Sequence, residues 1–298
     1  MQALLDAIAH AAPGQDACRI FHGRGGLYPG CEHLSLDWYA PVWVLTSFAP
    51  LDDASLQVVH QALARHPRPL NWVYQLRQPG QGQSETRRMA GEVPEPHEVS
   101  EQGARYRVHV LKGQNHGLFL DMACGRQWLR EQAQGQRVLN LFAYTCAFSV
   151  AALQGGAAEV VNVDMAAGAL AVGQHNHRLN GLGGARFLAH DLFKSWGKVK
   201  RLGPYDIVVA DPPSYQKGSF VATKDYARVV RRLPELLAPG GQALLCLNAP
   251  EIPPDFLVDL VAAEAPDLHF EERLQNPVAF ADALPERALK VMRFRRSV

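Results

Sequence analysis

The sequence predicts an α/β protein: a mostly parallel, Rossmann-like sheet over residues 113–298, preceded by a small α+β domain over residues 1–112. Two observations predict it. From about Gly113, short apolar segments alternate with segments of helical spacing, the pattern of a parallel sheet covered on both faces. Polar residues also recur at the ends of successive apolar segments, where open α/β sheets bind their ligands. The 298 residues suit two domains on a prior of roughly 150 residues each.

The N-terminal segment reads as a short amphipathic helix on Leu4, Leu5 and Ile8, without the basic flank of a signal peptide. Trp38 to Phe48 is apolar and aromatic, with Val42, Val44 and Thr46 favouring one strand. Asp53 is placed to cap a helix carrying Leu56, Val59, His60 and Leu63. Asn71 to Arg77 and Arg105 to Leu111 read as strands, and the Gly-, Pro- and Gln-rich stretch from Gln78 to Gly103 as loop. In the second domain a strand over Gly117 to Met122 leads to a helix over Arg126 to Ala133. Strands follow at Val138–Phe142, Val160–Val163, Arg186–Ala189, Tyr205–Ala210 and Ala243–Leu247. Helices follow at Cys146–Leu153, Ala166–Leu179, Lys224–Leu237 and Asp255–Ala263, and strands at Leu268–Glu272 and Ala288–Phe294 close the domain.

Composition narrows the function classes. Hydrophobic residues make up 47% and charged residues 20%, enough to bury a core. Thirty basic and 29 acidic residues leave a formal charge of +1, which argues against a nonspecific nucleic-acid binder. Five dispersed cysteines form neither a zinc nor a disulfide framework and fit a reducing cytoplasm. No apolar run approaches the roughly 20 residues of a membrane span, so no membrane partner is expected. His175 and His177 point to different helix faces, and no metal is expected.

The chemistry gathers at four strand ends. Asn140-Leu141-Phe142-Ala143-Tyr144-Thr145-Cys146 ends the first core strand. Asp164 ends the second, where an acid can accept hydrogen bonds from both ribose hydroxyls. Asp191 ends the third, where a carboxylate can accept from an adenine amino group, although it also suits a helix cap. Asp211-Pro212-Pro213-Ser214-Tyr215 ends the fourth; its prolines remove two backbone donors and stiffen the turn. The glycines that let a backbone approach a pyrophosphate are missing after Phe142, and no P-loop occurs. A nucleoside cofactor without phosphates therefore fits better than NAD or ATP.

These segments, with Val163-Asp164-Met165, resemble motifs I, II and IV of class I S-adenosylmethionine (SAM) methyltransferases. The resemblance is nearest to bacterial large-subunit rRNA methyltransferases, which include 5-methylcytosine and guanine-N7 enzymes. Gly117-Leu118-Phe119-Leu120-Asp121, Asn180-Gly181-Leu182, Leu27-Tyr28-Pro29-Gly30 and Asp37-Trp38-Tyr39 extend it over most of the chain from about Arg19. The resemblance implies that Asn140, Phe142, Ala143, Tyr144 and Thr145 wrap the methionine part of SAM. It implies that Asp164 and Met165 hold the ribose and that Asp191 and Leu192 border the adenine. Asp211, Pro212, Pro213, Tyr215 and Asn248 should face the acceptor, with Asp211 also bordering the cofactor. The 5-methylcytosine branch carries a nucleophilic cysteine where Asn248 stands here, because carbon-5 must first be activated by a thiolate. Cys246 lies two residues deeper and reads as packed core, while the guanine-N7 branch carries an asparagine at the matching position, so the resemblance at Asn248 implies direct transfer to a ring nitrogen. Ser214 between the prolines and Tyr215 weakens an amino-group reading. The lead-in departs from the family pattern at Asn115-His116 and in the delayed Arg126.

For the acceptor, RNA is the expected partner. Lys217, Lys224, Arg228, Arg231 and Arg232 follow motif IV, with Tyr215, Phe220 and Tyr226 interleaved, and could hold phosphates and stack bases. The same cations at helical spacing beside Glu235 also suit a solvated helix face. A second cluster, Lys194, Lys198, Lys200 and Arg201, precedes the fourth strand, and Arg293, Arg295 and Arg296 read as exposed edge charge. A small-molecule or protein methyltransferase, and a noncatalytic SAM-fold module, remain the alternatives.

Overall fold

A computed structural model describes residues 1–77, 84–216 and 220–298, with the side chains of residues 84, 215 and 216 left aside. The chain divides into two units: Met1–Asp121 with Pro277–Pro285, and Met122–Asn276 with Glu286–Val298. The division falls later than the expected 112/113 boundary, and a short C-terminal excursion returns to the first unit.

In the first unit, α1 (Gln2–His10) precedes β1 (Cys18–His22), β2 (Leu34–Tyr39) and β3 (Val42–Ser47). Helix α2 (Asp53–Ala64) crosses over to β4 (Trp72–Arg77), followed by β5 (Ser84–Ala90) and a hairpin of β6 (His97–Glu101) and β7 (Ala104–Val108). The sheet order is β1-β2-β3-β4-β5, with only the β3–β4 pair parallel. The helical crossover between β3 and β4 is what a parallel pair requires. Trp38, Trp43, Trp72 and Tyr74 fill the core with Leu36 and Leu45. The expected single strand at Trp38–Phe48 is a hairpin, broken at Ala40-Pro41 because proline cannot donate within a sheet. Two strands occupy the expected loop from Gln78 to Gly103, where polar residues pave their exposed faces. The cap of α2 is Asp52, which accepts from Ser55 N at 2.7 Å, with Asp53 inside the first turn. The expected strand at Gly117–Met122 does not form: Gly117–Phe119 is irregular and Leu120–Met122 is a 3-10 turn.

The second unit runs α3 (Ala123–Gln132), β8 (Arg137–Leu141), α4 (Ala147–Gln154), β9 (Glu159–Asp164), α5 (Ala167–Leu179), β10 (Ala185–Ala189), α6 (Trp196–Arg201) and β11 (Tyr205–Ala210). Then come the short β12 (Tyr215–Gln216) and β13 (Phe220–Val221), α7 (Ala222–Val230), α8 (Leu233–Leu236), β14 (Leu237–Leu247), α9 (Asp255–Glu264), β15 (Leu268–Arg273) and β16 (Lys290–Arg296). The sheet order is β10-β9-β8-β11-β14-β16-β15; β16 runs antiparallel to both neighbours and the remaining pairs are parallel. The order reverses between β8 and β11, which makes their carboxyl ends the switch point where α/β sheets take ligands. Both faces are apolar: Leu139, Leu141, Val161 and Val208 pack one side, and Val138, Val160, Ile207 and Val209 the other. The expected helix over Lys224–Leu237 is two, with Pro234 opening the second. Arg293 and Arg295 are not edge charges. Strand β16 lies between β14 and β15, and both arginines pair with Glu271, at 2.8 and 2.6 Å.

Candidate active site

The loop leaving β8 is held in an unusual backbone form. Phe142, Tyr144 and Cys146 all have left-handed φ, at 57°, 48° and 61°. Such residues cost of order 1–3 kcal/mol each and persist only where their surroundings over-determine them. Here Ala143 N donates to Val163 O at 3.1 Å, Tyr144 N to Asp164 Oδ2 at 2.8 Å, and Cys146 N to Ala143 O at 2.7 Å. Helix α5 clamps the other side: Asn176 Nδ2 donates to Thr145 O at 3.0 Å. At Gly173 a Cβ would come within 2.5 Å of Cys146 Sγ, so glycine is what lets helix and loop meet. Ala143 and Thr145 are buried, Tyr144 is half-buried, and Phe142 packs edge-on against Phe220 with ring centroids 5.2 Å apart.

Asp164 joins this loop to the next. Its Oδ2 accepts from Tyr144 N and its Oδ1 from Ala166 N, both at 2.8 Å. Each carboxylate oxygen keeps a further acceptor site. The adjoining Met165 is 55% exposed, an apolar surface beside that carboxylate. His190 N donates to Asp164 O at 3.0 Å and ties the end of β10 to that of β9. Asp191 caps the following turn: its Oδ1 accepts from Phe193 N at 3.0 Å, and Lys194 Nζ approaches its Oδ2 at 3.4 Å. Leu192 packs into the core with Val163 and Leu141.

Asn140 has a different placement from its loop neighbours. Its amide lies inside the sheet and donates to Asn162 Oδ1 at 2.9 Å. Asn162 Nδ2 donates to Ser149 Oγ at 3.0 Å, Ser149 lies 2.8 Å from His177 Nε2, and His177 Nδ1 lies 2.7 Å from Gly173 O. Gly173 O can only accept, so the proton is assigned to Nδ1 and the chain of donors runs in one direction. Burial pushes the His177 pKa down, which favours this neutral imidazole.

At the switch point, Asp211 N points at Leu141 O at 3.5 Å, which sets motif IV against motif I. Pro212 is buried and Pro213 half-buried. Ser214 Oγ donates to Asn248 O, and Ala222 N to Ser214 O at 3.0 Å, so the turn is tied to the ends of β14 and α7. Asn248 is exposed beyond β14, whereas Cys246 is fully buried within it. Strand β12 carries Tyr215. The backbone groups Ala210 O and Cys246 O lie 3.3 and 2.8 Å from the buried Tyr226 hydroxyl, which spans the ends of β11 and β14.

Of the cations after motif IV, Lys224, Arg228, Arg231 and Arg232 are exposed, and the three arginines carry carboxylate partners. Arg228 pairs with Asp225 at 2.9 Å, Arg231 with Glu264 at 2.5 Å and Arg232 with Glu235 at 2.8 Å. Phe220 and Tyr226 are core residues and offer no stacking surface; Lys217 lies outside the described residues. The sequence reading missed Gly173, the asparagine network and Lys290, which is fully buried and donates to Ala249 O at 2.6 Å, and it took Tyr226 as a stacking aromatic where the fold buries it. An asparagine inside each of two apolar strands, Val138–Leu141 and Val160–Val163, was the available signal for the network.

Comparison with known proteins decides the family. A model of S-adenosylmethionine-dependent methyltransferases matches residues 18–295. The chain belongs to that family. Ribosomal RNA large subunit methyltransferase I of Aeromonas salmonicida is 37% identical over 161 residues, 52% of this chain and 41% of that protein. Ribosomal RNA large subunit methyltransferase K/L of Chromohalobacter salexigens is 32% identical over 231 residues, 74% of this chain and 31% of that protein. The matched region thus spans less than half the length of these relatives. The SMU.776 protein, described as a methyltransferase and solved with SAH, superposes with a TM-score of 0.84 at 26% identity. That match covers 99% of this chain and 78% of the other.

The methyltransferase cofactor is SAM, and the residues present fit it. Asp164 offers two acceptor oxygens beside the exposed apolar Met165, and the adjoining loop is free of the glycines that a pyrophosphate needs. Among the described residues, no cluster of three His, Cys, Asp or Glu side chains could hold a metal, and no helix is long and apolar enough to cross a membrane.

Proposed function

We propose that this methyltransferase modifies a base of ribosomal RNA by direct transfer to a ring nitrogen. The observation that carries the reading is the pairing at the end of β14: an exposed Asn248, tied to the Asp-Pro-Pro-Ser turn, above a fully buried Cys246. Bound SAM supplies an electrophilic methyl group on a sulfonium. A ring nitrogen brings its own lone pair, so the protein's task is alignment more than acid–base chemistry. Asp211 and Asn248 orient the base by hydrogen bonds, while Pro212 and Pro213 fix the turn and Tyr215 borders the acceptor. Asp164, Met165, Asp191, Leu192 and the loop from Phe142 to Thr145 hold the cofactor, with Asn140 acting from within the sheet. The small first unit grips the RNA. Support comes from the rRNA methyltransferases among the relatives.

The test incubates the protein with methyl-labelled SAM and unmodified large-subunit rRNA, followed by nucleoside mass spectrometry. Label in a ring-nitrogen methylated nucleoside, lost in Asn248→Ala, is expected. Label at carbon-5 of cytosine would overturn direct transfer. A second reading, a protein or small-molecule acceptor, is favoured by the carboxylate-neutralised cations after motif IV; label in protein or small-molecule fractions and none in RNA would establish it.

A further inference from the structure

The second unit carries a positively charged, open hollow beside the strand end that bears Asp191. Its volume is about 560 Å³, and it is lined by His190, Lys194, Ser195, Gly197, Lys198 and Arg201. No acidic residue lines it. Lys198 Nζ donates to His190 Nε2 at 2.8 Å, a neutral acceptor that leaves the lysine's charge uncompensated. Arg201 makes no ion pair among the described residues. Lys194 reaches Asp191 only loosely, at 3.4 Å, with 84% of its side chain exposed. The arginines on and between α7 and α8 differ, although Lys224 of α7 is exposed and, like Lys198 and Arg201, has no carboxylate partner among the described residues. There Arg228, Arg231 and Arg232 each have a carboxylate within 2.9 Å, as does the neighbouring Lys200, paired with Glu235 at 2.8 Å. Two cations on α6 thus face a common hollow without a partner carboxylate, and the hollow adjoins the strand end where His190 N meets Asp164 O.

We infer that this pocket is a backbone-phosphate subsite for the RNA strand, with Lys198 and Arg201 as its ligands and Ser195 as a further donor. A phosphodiester oxygen accepts from lysine, arginine and hydroxyl groups alike, and such contacts position a strand without reading its sequence. An anion there offsets the repulsion among Lys194, Lys198 and Arg201. The inference rests on RNA being the substrate and adds where its backbone is held.

Gly197 provides a test that leaves those ligands in place. A Cβ added there meets no atom within 4 Å, and its backbone is ordinary right-handed helix. Replacing glycine within a helix also removes a propensity penalty, so folding should not suffer. Binding of an unmodified large-subunit rRNA fragment is measured by fluorescence anisotropy over a salt series, alongside SAM affinity, for the wild type, Gly197→Glu, Gly197→Gln and Arg201→Ala. Gly197→Glu and Arg201→Ala should weaken RNA binding about fivefold and flatten the log–log salt slope by roughly 0.7–1, the signature of one lost phosphate contact. Gly197→Gln should bind as the wild type does, and SAM affinity should hold in every variant. If Gly197→Glu and Arg201→Ala bind RNA with wild-type affinity and slope, the pocket is not a phosphate subsite although RNA remains the substrate. Equal losses in Gly197→Gln and Gly197→Glu would overturn the electrostatic basis. A wild-type protein that binds SAM and no RNA would refute the RNA reading itself, and the inference with it.

Discussion

Replacing Asp164 with asparagine separates two roles that the carboxylate combines. In the wild type each oxygen accepts one backbone N–H, from Ala166 and from Tyr144, at 2.8 Å. Asparagine keeps one carbonyl oxygen and turns an NH2 group toward the other donor. A hydrogen bond to a charged acceptor contributes about 1.5–3 kcal/mol, so losing one costs about 2 kcal/mol. The lost bond is among those holding Tyr144 at a φ of 48°, so the strained loop should relax. At about 2–4 °C per kcal/mol for a unit of this size, the melting temperature of the unliganded protein should fall by roughly 4–8 °C. If the carboxylate's remaining lone pairs accept from the ribose as proposed, their loss removes about another 1.5–3 kcal/mol from SAM binding, or roughly ten- to 150-fold in Kd. Calorimetric titration with SAM and melting curves with and without SAH measure the two effects separately. A variant that binds SAM within about twofold of the wild type would refute the assignment of Asp164 to the cofactor, whatever its melting temperature.

Two further outcomes follow from the same geometry. Cys246→Ala should retain methyl transfer within a few-fold and lose about 1 kcal/mol of stability, since a fully buried thiol packed beside Val291 is filling space; a covalent RNA adduct trapped on the wild type and absent from the variant would contradict this. His116 contributes to the acid sensitivity of the first unit, beside His22 and His97, whose pKa values are also lowered. Burial, assisted by the nearby Arg77 guanidinium, lowers the His116 pKa to about 4. A histidine with a depressed folded pKa contributes stability that is complete above the unfolded value, about 6.5, and is lost as the pH falls below it. Between pH 7 and pH 5 the loss should be about 2 kcal/mol, measured as the difference in urea unfolding between the wild type and His116→Gln; equal pH dependence in both proteins would exclude His116 as a titrating group.

What was legible in the sequence follows from which signals are local. Periodicity located β8, β9 and β11 to within a residue or two, because strands buried on both faces read as apolar runs, and it also located the edge strand β10, whose residues are half-buried or exposed. The strand-end positions Asp164, Asp191 and Asp211 could be read from those strands. Strands β5 and β6 could not, because their polar faces and flanking glycines and prolines imitate a loop. Helix α6 was missed because six residues carry too little pattern. The ion pairing of the cationic stretch after motif IV was not legible for a different reason. Arg231's partner, Glu264, is 33 residues away, so neutralisation there is a tertiary fact. Lys198 and Arg201 look similar in sequence, yet the fold leaves them facing a hollow without acids.

The asparagine network explains how the core sets the site's geometry. Asn140 and Asn162 are register partners on β8 and β9, so their amides meet directly. Two buried amides in an apolar sheet contribute little net stability when satisfied, but each orphaned donor costs about 1–3 kcal/mol. A slip of one residue would set each asparagine opposite a leucine or valine and break the chain through Ser149 and His177. The network therefore acts against alternative registers more than for the native one. Register is what the cofactor site depends on. Asp164 lies two residues beyond Asn162, and only the native pairing carries its carboxylate to Tyr144 N. The far end of the same chain, His177 to Gly173 O, fastens the turn of α5 whose glycine admits the Cys146 loop. One polar chain thus fixes both sides of that loop from beneath, and this is how strained residues at 142, 144 and 146 can be held without any glycine among them.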